Sequence, residues 1–377
     1  MSRFMQSSSA VLLAMALSGT AAAAQDARPV NVVTAATSAA SAPALEQLPM
    51  RPSSTAARTP AAHWFDLQAA AASIRYRGVE NAGDVWTTSA MQWTYNAKGR
   101  VLLDGKARYT VNFVALAGAS FNQSWLMTGV GTGTTHYETG LRQLFVQADP
   151  VKGLSFQMGS LAPVRGANTE ITTLDNDGWV FGERVSLKGR TPWLADEIVV
   201  TNAYLGQFNH PDLFHRTGHW SDRNYRQVMA TRALSRAVTV SADYTHQAGA
   251  EILHQAVLVS APRRLWFNSI RLEQYERVEP TSAYGMAFSL EKALTKKLKT
   301  GVGIASVDRR FGTLNGERFN TGHRWFVSGS YPLIGPLSTS WFYTRQIDAP
   351  VGATNVQRVD LHLTYDVLAH VRQLTDR

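Results

Sequence analysis

Apolar and polar side chains exchange places with a period of two along most of this chain. In the clearest run, near the end, Val359, Leu361, Leu363, Tyr365, Val367 and Ala369 share one phase. Arg358, Asp360, His362, Thr364, Asp366 and His370 share the other. Alternate side chains of an extended strand point to opposite faces, whereas a helix repeats every 3.6 residues, so this run predicts a strand. Tyr109, Val111, Phe113 and Ala115 alternate with Arg108, Thr110 and Asn112; Val238, Val240, Ala242 and Tyr244 alternate with Thr239, Ser241 and Asp243. Tyr284, Met286, Phe288 and Leu290 alternate with Gly285, Ala287, Ser289 and Glu291. From Trp64 onward about sixteen such runs of roughly ten residues can be placed, which makes the chain all-β.

A soluble sandwich alternates in the same way, so the connections have to decide the architecture. Tight turns fall at Leu103–Lys106, Asp149–Gly153, Ala233–Arg236, Ala261–Arg264, Leu294–Lys297 and Leu333–Pro336. Between them lie longer connections around 119–134, 163–177, 208–222 and 310–321, with shorter ones at 279–281 and 348–354. Short turns at one end and long loops at the other are the arrangement of a transmembrane, antiparallel, up-and-down β-barrel. Gln255 and Asn268 disturb the phase between 249 and 278, so the strand count lies between about 14 and 18. Glu183 shares a phase with Trp179, Phe181 and Val185, which predicts a bulge or a shifted strand boundary there. The aromatic positions agree with a barrel: Trp325, Tyr343, Tyr244 and Tyr284 fall near one rim, Tyr109 and Tyr331 near the other, as two interfacial belts would.

The first 24 residues have a different texture. Met1 and Arg3 open a short basic start, Ala10 to Leu17 are apolar, and Ala22-Ala23-Ala24 precedes Gln25, together the pattern of a cleaved secretory signal peptide. The apolar stretch is too short for a spanning helix, which needs about 20 residues. Residues 25–62 are rich in Ala, Ser, Thr and Pro and read as a disordered leader, so residues 63–377 carry the barrel. No Cys among 377 residues excludes a disulfide scaffold and a thiolate metal site, and the formal charge of +9 points to anionic partners.

Over about residues 66–372 the chain resembles Gram-negative outer-membrane porins. The strand-turn-strand segments Gly99–Phe113 and Val151–Gly159 carry the likeness. The resemblance implies a passive diffusion channel in outer-membrane lipid and a third external loop folded into the lumen. It also implies insertion by the barrel-assembly machinery, and homotrimers are common in the group. The matching loop is 163–177, with Arg165, Glu170, Asp175 and Asp177 as constriction candidates. Porins usually end on an aromatic residue, whereas this chain ends Leu374-Thr375-Asp376-Arg377, and its pI of about 9.8 contrasts with acidic porins.

With the polar phase lining the pore, the lumen receives Arg75, Arg77, Arg108, Arg184, Arg271, Arg324 and Arg358, against Asp243, Glu273, Asp360 and Asp366. Guanidinium groups in a narrow passage concentrate anions and repel cations, so small anionic or neutral hydrophilic solutes are the expected cargo. A dedicated channel for an anionic saccharide, resembling alginate-export barrels, is the alternative. A rim hydrolase is a further one, but His254, His323, His362 and His370 are scattered and no spacing commits to a catalytic set. His210, His215 and His219 share a loop without the spacing that would fix metal ligands, and Gly129–Thr134 lacks the Lys-Ser/Thr ending of a phosphate loop. No cofactor, metal or catalytic residue is assigned, and the absence of a clustered basic patch argues against nucleic acid.

Overall fold

A computed structural model describes residues 64–375 except 83–85, 121–135, 165, 167–179, 190–194, 207–212, 248, 263–264, 309, 312–320 and 349–353. The expected signal peptide and the 25–62 leader lie outside the described residues. Sixteen strands follow one another: β1 (Phe65–Ala82), β2 (Trp86–Leu102), β3 (Tyr109–Ser120), β4 (His136–Val151), β5 (Leu154–Leu161), β6 (Val180–Lys188), β7 (Glu197–Leu205) and β8 (Tyr225–Ala233), then β9 (Val238–Gln247), β10 (Ala250–Ser260), β11 (Ser269–Glu279), β12 (Ala283–Ala293), β13 (Lys299–Val307), β14 (Gly322–Ile334), β15 (Leu337–Gln346) and β16 (Thr354–Asp366). Each pairs antiparallel with its neighbours in sequence, and β1 pairs with β16, so the sheet closes on itself. Closure leaves no unpaired edge, which is what lets a sheet stand in a medium without water.

The period-two pattern sorts side chains as expected. On β16, Arg358, Asp360, His362 and Thr364 are buried inside, while Leu361 and Leu363 are exposed outside. On β1, Arg75 and Arg77 are inside and Ile74 and Tyr76 outside. The outer surface is an apolar band of residues such as Met91, Trp93, Val200, Leu272, Val302 and Ile304, a surface suited to hydrocarbon. The aromatic positions named from the sequence face outward, and the Trp325 and Tyr343 rings lie 5.1 Å apart.

Two details differ from the sequence reading. The alternation of Val367, Ala369 and His370 does not continue β16; α2 (Val367–Thr375) begins there, after a first helix α1 (Leu213–Thr217) in the β7–β8 connection. Strand β16 has lost its neighbours by then, since Asp366 is its last pairing position with β1 and Tyr365 its last with β15. Asp366 instead accepts a 2.8 Å bond from the Ala369 amide and caps the helix.

At Glu183 there is no bulge, because β6 pairs in unbroken register with both β5 and β7. The carboxylate faces outward and is satisfied there, accepting from Asn202 Nδ2 at 2.8 Å and from Arg223 at 3.4 Å. Trp220 lies edge-on to Phe181 at 5.3 Å and His219 stacks on Tyr204 at 4.6 Å, so the end of the β7–β8 connection covers this polar spot. A partnered carboxylate is tolerable on an outer face where a bare one would be costly.

Close approach of β6 and β7 depends on Gly182: a Cβ there would meet the Asn202 carbonyl oxygen at 2.3 Å and the Ala203 Cα at 2.5 Å. Gly182→Val should destabilise the barrel by about 1–3 kcal/mol, whereas Gly105→Ala, in a turn with open space around it, should be neutral. The check is the temperature at which the refolded protein loses its compact gel mobility in detergent; equal values for the two variants would contradict this packing.

Candidate functional site

Strands β14, β16 and β1 turn four guanidinium groups into the barrel: Arg324, Arg358, Arg75 and Arg77, all buried. One buried carboxylate stands among them. Asp360 accepts from Arg77 Nε at 2.8 Å, from the Arg75 guanidinium at 3.2 Å and from the Arg358 guanidinium at 2.6 Å. Arg77 sits directly opposite Asp360 in the β1–β16 register, and Arg75 opposite His362. The carboxylate therefore ties the first strand to the last. Three cations on one acid leave this wall positively charged, and Arg324 adds to the excess.

Half-way round the ring stands a different set. His254 on β10 bridges Asp243 on β9, at 3.0 Å from Nδ1, and Glu273 on β11, at 2.5 Å from Nε2. An imidazole donates to two carboxylates only when both nitrogens carry protons. Thr245 adds a 3.2 Å bond to Asp243. Arg271 lies one inward step along β11 from Glu273 and is buried with it. Two cations thus balance two acids at this place, in contrast to the basic cluster on β14, β16 and β1.

The remaining sequence candidates fall in different places. Arg184 on β6 points inward but is engaged, donating to Thr201 at 3.0 Å, Gln157 at 3.3 Å and the Ala162 carbonyl at 2.5 Å. It holds the start of the β5–β6 loop against the wall. Arg108 is not in the lumen: it lies in the exposed β2–β3 turn, where its amide donates to Asp104 Oδ1 at 2.7 Å. Asp366, also expected inside, is the exposed cap of α2.

Of the loop expected to constrict the pore, Arg165, Glu170, Asp175 and Asp177 lie outside the described residues. The described stub does run inward: the Val164 amide and carbonyl bond the side chain of Gln227, an inward residue of β8, at 3.4 and 3.0 Å. Gly166 continues the same course, packed so closely on Ser241 of β9 that a Cβ would lie 2.3 Å from it.

A second inward segment had no signature in the alternation. After β13 the chain turns through Asp308, whose carboxylate accepts from Arg310 and is held below its usual range by that guanidinium. Phe311 then inserts inside the barrel, fully buried, its ring stacked on Tyr275 at 4.8 Å. Arg277 on β11 holds it, donating to the Phe311 carbonyl at 3.1 Å and to the Arg310 carbonyl. Around Phe311 lies an apolar lumenal cluster that includes Ile252, Ala287, Val307, Phe326 and Phe342, and a smaller one gathers Phe145, Leu161, Val180 and Tyr225.

Asp360→Asn would leave Arg75, Arg77 and Arg358 buried around a neutral amide, at an expected cost of about 3–5 kcal/mol. Urea unfolding of the refolded barrel measures it; an unchanged midpoint would mean that the carboxylate does not hold the seam.

The sequence matches no protein-family model and no curated protein. Among solved structures it is similar to mutants of the porin of Rh. blastica. One aligns at TM-score 0.51 and another at 0.50, each at 10% identity over 80% of this chain and 99% of that chain. At that identity the likeness concerns the backbone alone, and in its backbone this chain is a porin-type, sixteen-stranded barrel.

Proposed function

We propose that this protein is an outer-membrane porin, a passive diffusion channel for small hydrophilic solutes in which anions are preferred. The observation that carries the proposal is the grouping of Arg75, Arg77 and Arg358 around the buried carboxylate of Asp360 on the paired strands β1 and β16, with Arg324 buried two strands away on β14. A barrel of sixteen strands is wide enough to leave an aqueous path, and a surplus of fixed cations along it raises the local concentration of anions. Arginine keeps its charge at any working pH, so the preference should not depend on protonation of the wall. The apolar exterior suits lipid, and export through the N-terminal signal would deliver the chain to the outer membrane. Insertion by the barrel-assembly machinery and association as a homotrimer belong to the same proposal. A channel is favoured over an enzyme because, among the described residues, the one lumenal histidine that meets acids, His254, is engaged on both nitrogens by Asp243 and Glu273, and no nucleophile is seen set beside a free base.

The test is the reversal potential of the refolded chain in a planar bilayer under a KCl gradient. A sign reporting chloride over potassium is expected, moving toward zero when Arg75 and Arg358 are both changed to Gln. Cation preference in the unaltered channel would overturn the assignment of the arginines. Current block by micromolar oligouronate would instead favour a dedicated channel for an anionic saccharide.

A further inference from the structure

Arg324 differs from the other arginines of its wall. It is fully buried, and Nε and both terminal nitrogens of its guanidinium lack a hydrogen-bond partner among the described residues. It stands inward on β14 between Ala305 of β13 and Gln346 of β15, with Phe326 and Thr344 one inward step deeper. The Thr344 hydroxyl is already committed to the Trp325 carbonyl at 3.0 Å. Among the described residues Asp348 acts on it through its field and Asp360 stands two strands away on β16, and both acids are occupied. Asp360 is shared by Arg75, Arg77 and Arg358. Asp348, beyond the end of β15, accepts the His323 amide at 3.1 Å and a bond from the Gln346 side chain. A buried, permanently charged fork with no acceptor among the described residues is costly, and the group that relieves it most cheaply is a small anion with two or three acceptor oxygens.

We infer that Arg324 is the core of a discrete, saturable binding site for a small oxoanion, of the phosphate or carboxylate kind, set in the channel wall. This rests on the reading of the barrel as an anion-preferring channel and adds to it a resident step in the passage. The planar fork of Arg324 would grip two oxygens side by side, and Arg358, the adjoining cation, would add its field. Phe326, one inward step along β14 and part of the apolar cluster, would limit water at that contact and so strengthen it. A general basic lining predicts conductance that follows bulk anion concentration, whereas a gripping site predicts occupancy, with chloride current falling as the oxoanion fills it.

The experiment is single-channel recording of the refolded chain in KCl with inorganic phosphate added, together with reversal potentials in a KCl gradient. The chloride current should fall along a saturating curve. Arg324→Gln should raise the half-saturating phosphate concentration by about tenfold or more, while Arg108→Gln, in the exposed β2–β3 turn outside the lumen, should leave it within about twofold. Arg324→Lys should recover part of the effect, because a point charge lacks the fork. The curve of the unaltered protein decides the matter even if a variant does not fold. Anion preference with no saturation in phosphate would overturn the site and leave the channel reading intact. Cation preference would overturn that reading and the site with it.

Discussion

Everything in this molecule depends on the pairing of β1 with β16. Fifteen antiparallel hairpin pairings lie between neighbours in sequence, but the last joins residues nearly three hundred positions apart, such as Arg77 and Asp360. Without it the sheet would have two edges of unsatisfied amides and carbonyls, which an apolar medium does not tolerate. At this seam the chain has placed three arginines on one acid. Asp360 belongs to the last strand and Arg75 and Arg77 to the first, so the bonds that neutralise the acid also fasten the closure.

Closure then divides the side chains in two. Alternate positions face outward and form the apolar band; the others meet in a confined interior where a charge must find a partner or remain a fixed source of field. The balanced set of Asp243, His254, Glu273 and Arg271 and the basic wall opposite show both solutions. Between them, Phe311 and its apolar neighbours, together with the loop stub at Val164, fill part of the cross-section. On the proposed reading, the cluster that closes the barrel is also the one that would set which solutes it favours.

The sequence made the barrel legible because period two is imposed by the backbone itself and persists along most of the chain, and because turns and loops alternate in length. It also named the inward arginines of β1, β14 and β16, which follow from phase alone. It placed Arg108 inside because phase carries no information about where a strand begins; the turn through Asp104 holds that residue before β3 starts. It extended β16 through Val367 and Ala369 because alternation does not reveal the loss of a neighbouring strand. Glu183 looked like an error of register, since its partners Asn202 and Arg223 come from elsewhere in the chain. The Arg277–Phe311 clamp was invisible for the same reason, being a contact between a strand and a loop with no repeat to announce it.

The central claim is that this barrel stands in lipid with its apolar phase outward. Because the chain has no Cys, a nitroxide can be attached to a single introduced cysteine at Leu361, Leu363 or Val302, and its collision rates with oxygen and with a water-soluble nickel complex measured in bilayers. The account predicts oxygen-dominated collisions at these three positions and nickel-dominated collisions at Gly335 in the β14–β15 turn. Nickel-dominated collisions at Leu361 and Val302 would mean that the apolar phase meets water, and the barrel would then not be a membrane channel.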